Sequence, residues 1–189
     1  SKLVLEMNNL CLSHNINKEK LQRYWSQHTL NDINIYDTRE VIYIKRVLQH
    51  ILPEKIRKKI TSILFKKYVG ITEGDLAEEL YLSIDDINKL IKSGMYVGGH
   101  GYKHLWLNNE SYINQEKEIN LTLDFLNNVG AQTKNWIMCY PHGEYNSDTI
   151  KILQKKKCAI GLTIKAGVAD LNLQKPLELS RFDTNDFPQ

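Results

Sequence analysis

The pattern of apolar residues changes near residue 94, and this change limits the folds open to the chain. After this point, short apolar runs alternate with amphipathic helical stretches. The predicted elements are, in order, strand Met95–Gly98, helix Ser111–Val129, strand Asn135–Tyr140, helix Asp148–Lys157 and strand Ala159–Ile164. Strands that alternate with helices form parallel βαβ units. We therefore predict an α/β fold for residues 94–189.

Residues 1–93 show helical periodicity and no strand signal of comparable strength. Residues that favour the start of a helix precede the predicted helices, namely Asn17, Thr38, Pro53, Thr72 and Ser83. The apolar stripes of these helices are typical of core-packing faces. We predict a helical segment at residues 1–93, followed by the strand-containing segment at 94–189.

Composition excludes several classes of function. The chain has 189 residues, of which 42% are hydrophobic and 25% charged, as in an ordinary globular protein of one domain, with or without an appendage. A net charge of +3 is too small to indicate nucleic-acid binding. No apolar run reaches the length of a membrane span. The three cysteines, at unrelated spacings, suggest free thiols in a reducing compartment, and we predict a cytoplasmic location.

Two histidines, His100 and His104, stand four residues apart after the predicted strand and the glycines Gly98 and Gly99. Neutral imidazole is a preferred ligand of zinc and of other divalent metals, and two rings at this spacing can turn toward one point. The pair therefore predicts two metal ligands at the end of a strand. The spacing alone is a weak signal in a chain with six histidines, so it needs context.

The context is a strand, a rigid turn and a helix start that follow one another between Trp136 and Thr149. The apolar run breaks at Pro141 and Gly143, and the polar residues from Asn146 open the next helix. Turns at the carboxyl ends of strands carry the chemistry of many α/β proteins, because backbone N–H groups there point into the crevice. We predict that this turn forms the second part of a functional site.

These two segments, in this order, resemble motifs of the NodB-homology polysaccharide deacetylases, carbohydrate esterase family four. The two histidines match the family's His-x-x-x-His metal motif. The run from Tyr140 to Asn146 is close to the family's Tyr-Pro-Tyr-Gly turn and the Tyr-Asn pair after it. The later segment Leu177–Asp186 is similar to the family's arginine-containing segment and holds Arg181. The resemblance covers about residues 94–189.

The fold that this resemblance implies is a partial (β/α) barrel of the polysaccharide deacetylase type, with an N-terminal helical insertion. A closed barrel needs more than the three or four strands found here. We expect the missing strands to precede residue 1, because the chain begins inside a structured-looking segment without an initiator methionine. We also expect that preceding segment, or a second copy of the chain, to cover the open sheet edge.

The chemistry that the resemblance implies is metal-assisted hydrolysis of an N-acetyl group on a carbohydrate. His100 and His104 would bind a divalent metal, with zinc the favoured ion, which polarises the acetyl carbonyl and acidifies water. The backbone N–H of His142 would donate to the oxyanion. Arg181 orients the catalytic aspartate in an intact enzyme; in this chain we expect it to pair with Asp183 or Asp186, or to be solvated.

The same resemblance implies residues for sugar binding. The candidates are Tyr140, Pro141, Tyr102 and Trp106. Aromatic faces stack on sugar rings, which favours Tyr102 and Trp106 for that contact. Core packing is an equally good interpretation of Trp106.

The chain departs from the family pattern at the first motif, a strand that ends in Thr-Phe-Asp-Asp. The only Asp-Asp pair, Asp85-Asp86, follows Ser83 and is predicted to cap a helix. Cys139 stands where the family has an arginine, and no histidine follows His142. The catalytic aspartate and the third metal ligand of the family therefore have no counterpart in this sequence.

Three hypotheses stay open at this point. The chain is a fragment or variant of a metal-dependent carbohydrate N-deacetylase for a surface polysaccharide or its precursor, inactive if the aspartate motif is essential. Alternatively, it is a non-catalytic relative that binds sugar or a partner protein. Finally, it is another kind of zinc hydrolase, with a carboxylate drawn from the helical half; single mutations of Asp85, Asp86, Asp183 and Asp186 test this hypothesis.

Overall fold

The computed structural model of the chain describes residues 1–31 and 37–187. They form two units, Ser1–Tyr81 and Leu82–Gln189. The division falls before residue 94, where the apolar pattern changes. The helix that follows Ser83 therefore belongs with the strands and not with the other helices.

Every regular element in the described residues of the first unit is a helix. Its helices are α1 (Lys2–Ser13), α2 (Lys18–Asn31), α3 (Arg39–Arg46), α4 (Glu54–Tyr68) and α5 (Glu73–Leu80). The core forms around Met7, Cys11, Val47 and Ile60, each fully buried. The helix predicted after Thr38 continues beyond α3 as a π-helical turn at Val47–Ile51. Leu52 is extended, as expected of a residue before proline.

The second unit contains the predicted alternation of strands and helices. Its elements are α6 (Ile84–Lys92), α7 (Tyr112–Asn128), β1 (Trp136–Cys139), α8 (Ser147–Lys155) and β2 (Cys158–Leu162). β1 and β2 pair in parallel. The predictions of the two helices and of these two strands are confirmed to within a few residues at each end. None of the helices in the described parts of the chain has the length and apolar character to cross a bilayer.

The sheet extends by a single parallel bridge on each side of the β1–β2 pair. Gly99 bridges Met138 of β1, and Leu179 bridges Leu162 of β2. Four backbone segments therefore lie side by side in chain order, all parallel. The α/β class is confirmed, but over the described residues the sheet is open, so closure into a barrel is not seen.

The predicted strand Met95–Gly98 is reduced to the bridge at Gly99. The backbone N–H of Ile137, which a longer ladder would use, donates instead to the Tyr96 hydroxyl at 2.8 Å. A Cβ on Gly99 would lie 2.5 Å from the Trp136 ring, and a Cβ on Gly98 would lie 2.9 Å from the Ile137 carbonyl oxygen. The segment thus approaches β1 so closely that only glycine fits at these two positions. Glycine has a low propensity for β-strands, which explains why the strand is short.

Helix α7 buries a face that is partly polar. Ile113 does not belong to this face, because it is 76% exposed. The buried residues are Gln115, Glu118, Ile119, Thr122 and Leu126. These residues follow the i, i+3, i+4 spacing of one helix face, and Ile113 falls outside it.

The prediction that the Asp85-Asp86 pair caps a helix is confirmed for Asp86. Ser83 and Asp86 form a reciprocal capping box at the start of α6. The Asp86 carboxylate accepts from the Ser83 hydroxyl at 2.6 Å and from the Lys89 ammonium at 3.0 Å. These hydrogen bonds, from Ser83 first and Lys89 second, lower the pKa of Asp86 to about 2.

Replacing Asp86 with alanine is expected to destabilise α6 in a pH-dependent way. The folded-state pKa lies below the ordinary value of 3.8, so the ionised carboxylate stabilises the fold above that pH. The stabilisation is lost as the pH falls toward the lowered pKa. The free energy of unfolding, measured in urea, should therefore be lower for D86A than for the parental chain at about pH 7. The two values should converge at about pH 2. Asp85→Ala is the matched control, and an equally large, equally pH-dependent loss in it would contradict the assignment.

Candidate functional site

The two histidines point their Nε2 atoms at each other. The distance between His100 Nε2 and His104 Nε2 is 3.1 Å, and both side chains are exposed. Two nitrogen ligands of one tetrahedral zinc ion, each about 2.0–2.1 Å from the metal, stand about 3.3–3.4 Å apart. The observed separation is therefore close to the separation that a shared cation requires.

The backbone of β1 fixes the orientation of His100. Its Nδ1 lies 2.9 Å from the carbonyl oxygen of Cys139. A carbonyl only accepts, so Nδ1 must carry the hydrogen, and the neutral ring then has its lone pair on Nε2. A metal-binding histidine is oriented by a partner of this kind. The chemistry of the pair thus fits a divalent cation.

A tight turn presents His104. The residue has a φ of +56°, in the left-handed region, and Gly101 earlier in the same turn has a φ of +76°. Although His104 is exposed at its surface, partial desolvation of its ring first, and the neighbouring His100 second, lower its pKa. Neutral imidazole is the form that binds a metal, so this environment keeps His104 ready to bind at lower pH than an ordinary histidine.

This pKa shift leads to a prediction for the metal-free chain. His104 should titrate below the ordinary histidine value of 6.5 in an NMR titration of its ring protons. Because the folded pKa is lowered, the neutral ring stabilises the fold above pH 6.5, and this stabilisation is lost as the pH falls through the lowered pKa. His100→Gln should raise the midpoint only part of the way, since burial is the larger cause. A midpoint at or above 6.5 in the parental chain would contradict the assignment.

The proline turn lies next to the histidine pair. His142 has a φ of +57° and Gly143 a φ of +73°, so two successive residues are left-handed. The centroid of the His142 ring lies 4.4 Å from that of His104 and 4.5 Å from that of Trp106, on which it stacks. The structure thus brings together His100, His104, His142 and Trp106 in a row of rings.

Tyr140 and Pro141 support this turn from inside the protein. Tyr140 is 1% exposed, and its hydroxyl donates to the Leu177 carbonyl at 2.6 Å. Its ring stacks on Tyr145, and burial raises its pKa well above the ordinary value. Pro141 is also buried. Of the residues predicted to contact sugar, Tyr102 is exposed and Trp106 is half-buried.

Arg181 lies beyond the carboxyl end of β2. Its Nε donates to the carbonyl oxygen of Thr163 at 2.9 Å, and its backbone N–H donates to Lys165. Nearby, a cleft of about 450 Å³ opens beside the proline turn. Its lining residues are Gly143, Tyr145, Thr163, Ile164, Lys165, Gln174, Lys175 and Glu178.

The histidine pair lacks a third protein ligand within the parts of the chain that the structure describes. Among the side chains that the structure describes, no three of histidine, cysteine, aspartate or glutamate meet as a metal-binding group. Two of the predicted carboxylates have structural contacts: Asp86 caps α6, and Asp186 accepts from the backbone N–H of Asp183 at 2.7 Å. The described pair therefore fills only part of a tetrahedral shell.

Sequence reasoning missed Glu118 and the contacts that join the two loops of the site. Glu118 is 2% exposed, and its carboxylate accepts from the backbone N–H of Lys103. Asn108, after the histidine turn, donates to Glu144, after the proline turn, at 2.5 Å. The available signal for Glu118 was its place on the face of Ile119 and Leu126, where a charged residue is unusual.

These features are those of an α/β protein that presents a pair of histidines at the carboxyl ends of its strands. The family model described as polysaccharide deacetylase matches residues 52–160, more than half of the chain, so the chain belongs to the polysaccharide deacetylase family. The resemblance to the NodB-homology enzymes is thereby confirmed. The match to the family model begins at residue 52, within the first unit. The resemblance of the motifs covered only residues from about 94 onward.

Two relatives show the extent of the similarity. YxkH of Bacillus subtilis (strain 168), named as an unconfirmed polysaccharide deacetylase, is 25% identical over 116 residues. The aligned region covers 61% of this chain and 39% of YxkH, so the chain spans about two fifths of that relative's length. The Streptococcus pyogenes deacetylase PplD, solved in complex with acetate, superposes with a TM-score of 0.51 and 18% identity. That alignment covers 95% of this chain and 79% of PplD, and it shows a shared fold.

Proposed function

We propose that this chain carries the metal-binding and oxyanion-stabilising part of a metal-dependent carbohydrate N-deacetylase. The substrate would be an N-acetylated surface polysaccharide or its precursor. Membership of the polysaccharide deacetylase family supports this proposal. The observation that carries it is the 3.1 Å approach of His100 Nε2 and His104 Nε2, next to the proline turn.

The two histidines would hold a divalent cation, for which zinc is the favoured ion. When bound, such a cation supplies a Lewis acid for the acetyl carbonyl and lowers the pKa of water. The hydrogen bond from His100 Nδ1 to the Cys139 carbonyl keeps the unprotonated Nε2 turned toward His104. The lowered pKa of His104 keeps its ring neutral.

The proline turn and its neighbours would act on the substrate. The backbone N–H of His142 would donate to the oxyanion that forms when the acetyl carbonyl is attacked. Trp106, which stacks on His142, and the exposed Tyr102 would contact the sugar ring. Tyr140 and Pro141 would hold the turn from beneath, and Arg181 would orient an aspartate supplied from outside the described residues.

The second candidate function is a non-catalytic sugar-binding or protein-binding relative of the deacetylases. One observation favours it: within the described residues, the pair is not joined by a third ligand. The family's aspartate motif is also missing from the sequence, and Cys139 replaces an arginine. A protein with this constellation would keep the cleft and lose the chemistry.

Acetate release from N-acetylglucosamine oligosaccharides separates the two candidates. The deacetylase proposal predicts slow release that Zn²⁺ or Co²⁺ increases and a chelator stops. His142→Ala should keep most of this activity, because the proposed donor is a backbone N–H. NMR of the oligosaccharide detects its binding to the chain. Binding without acetate release would favour the non-catalytic relative. Neither binding nor release with any metal would contradict both candidates.

A further inference from the structure

A buried carboxylate from another element holds the turn that carries the two histidines. Glu118 belongs to α7 and is 2% exposed, and its Oε1 accepts the backbone N–H of Lys103. Lys103 directly precedes His104. The contact therefore fixes the peptide group that leads into the second histidine.

The turn is closely enclosed at this point. Gly101 has a φ of +76°, and a Cβ on it would lie 3.4 Å from Glu118 Oε1 and 3.0 Å from Pro141 Cγ. The turn thus runs between the carboxylate on one side and the proline turn on the other. His104 has a φ of +56°, so two of the five residues from 100 to 104 are left-handed. Such a backbone persists only where surrounding contacts determine it.

A carboxylate is an expensive group to bury for packing alone. Removing its charge from water costs free energy that an apolar side chain at the same place would not require. The other buried residues on this face are uncharged, namely Gln115, Ile119, Thr122 and Leu126. Glu118 is the one among them whose side chain is bonded to the histidine turn. Its charge strengthens the bond that it accepts from the Lys103 amide.

We propose that Glu118 is a positioning residue for the metal site. Its carboxylate holds the Lys103 amide, and thereby the turn in which His100 Nε2 and His104 Nε2 meet at 3.1 Å. The part of this inference that concerns metal affinity rests on the proposed function. The part that concerns the turn does not, because it can be measured without a metal.

The test compares Glu118→Ala, Glu118→Gln and Gln115→Ala in the whole chain. Gln115 is fully buried on the same face of α7, but it bonds to Glu110, Asn146 and Thr149 and not to the histidine turn. It is therefore the matched control for loss of a buried polar side chain. Loss of an orienting partner typically weakens metal binding by about 10- to 100-fold. E118A should show a loss of this size for Zn²⁺ by calorimetric titration, and E118Q, which can still accept the amide, should recover most of it.

Amide hydrogen exchange of Lys103 provides the second measurement, without metal. The exchange should be slow in the parental chain and in Q115A, and at least about tenfold faster in E118A. If Lys103 exchanges equally fast in the parental chain and in E118A, the inference is overturned. It is also overturned if E118A binds Zn²⁺ as the parental chain does while its thermal stability falls as in Q115A. A parental chain that protects Lys103 but binds no Zn²⁺ would instead contradict the proposed function and leave the role of Glu118 in the turn supported.

Discussion

Alanine in place of His104 is expected to weaken Zn²⁺ binding by about a hundredfold or more. Structural zinc sites bind with roughly 10–16 kcal/mol shared among four ligands, so one ligand accounts for about 2.5–4 kcal/mol. Only one of the two proposed nitrogen ligands, His100 Nε2, would remain. The Cys139 carbonyl would still hold that ring in its orientation. Calorimetric titration of Zn²⁺ and the absorption spectrum of added Co²⁺ both measure this loss.

Alanine variants of His14 and His100 are the comparisons for this experiment. His14, on the first unit, is bonded through Nδ1 to the Leu10 carbonyl, and its replacement by alanine should leave Zn²⁺ affinity unchanged. His100→Ala should match His104→Ala, because each variant leaves one ligand. Unchanged affinity in both single variants would show that the ion binds elsewhere and would remove the main support of the deacetylase proposal.

Alanine in place of Gly161 is expected to cost about 3–5 kcal/mol of unfolding free energy in the second unit. A Cβ at this position of β2 would lie 2.4 Å from the Leu177 carbonyl oxygen and 2.4 Å from the Tyr140 hydroxyl. The backbone carbonyl cannot move aside as a flexible side chain could. The clash also separates Tyr140 from Leu177, whose buried hydrogen bond of 2.6 Å anchors the proline turn.

Urea unfolding followed by near-ultraviolet circular dichroism measures this cost, because the buried Tyr140 and Trp136 contribute to the aromatic signal. Gly74→Ala in α5 is the matched control, since a Cβ there meets only an ordinary contact at 3.6 Å. It should stabilise α5 by up to about 1 kcal/mol through helix propensity. A Gly161→Ala variant within about 0.5 kcal/mol of the parental chain would show that β2 can shift away from Leu177.

Local chemistry explains what the sequence predicted well. Ser111 before α7, the Ser83–Asp86 capping box and the break at Pro141 depend on neighbours within a few residues. The same holds for the approach of the two histidines, which share one short turn. Patterns of this range can be interpreted without knowledge of the tertiary fold.

Contacts between distant elements explain what the sequence could not predict. The strand expected before Gly99 fails because the Tyr96 hydroxyl takes the Ile137 amide, a pairing that spans some forty residues. The place of Glu118 on an apolar helix face is visible in the sequence, but its partner, the Lys103 amide, is known only from the fold. In the same way, the burial of Tyr140 depends on the Leu177 carbonyl, which lies on a segment that only the folded sheet brings near.

The contact between His100 and the Cys139 carbonyl has a consequence for sequence variation at position 139. A main-chain oxygen is present whatever side chain the residue carries, so the contact that orients His100 does not depend on the side chain at position 139. A cysteine where the family has an arginine therefore removes a guanidinium without disturbing the orientation of the His100 ring. Under the proposed function, a change of side chain at position 139 would therefore affect catalysis and leave the orientation of His100 for metal binding intact.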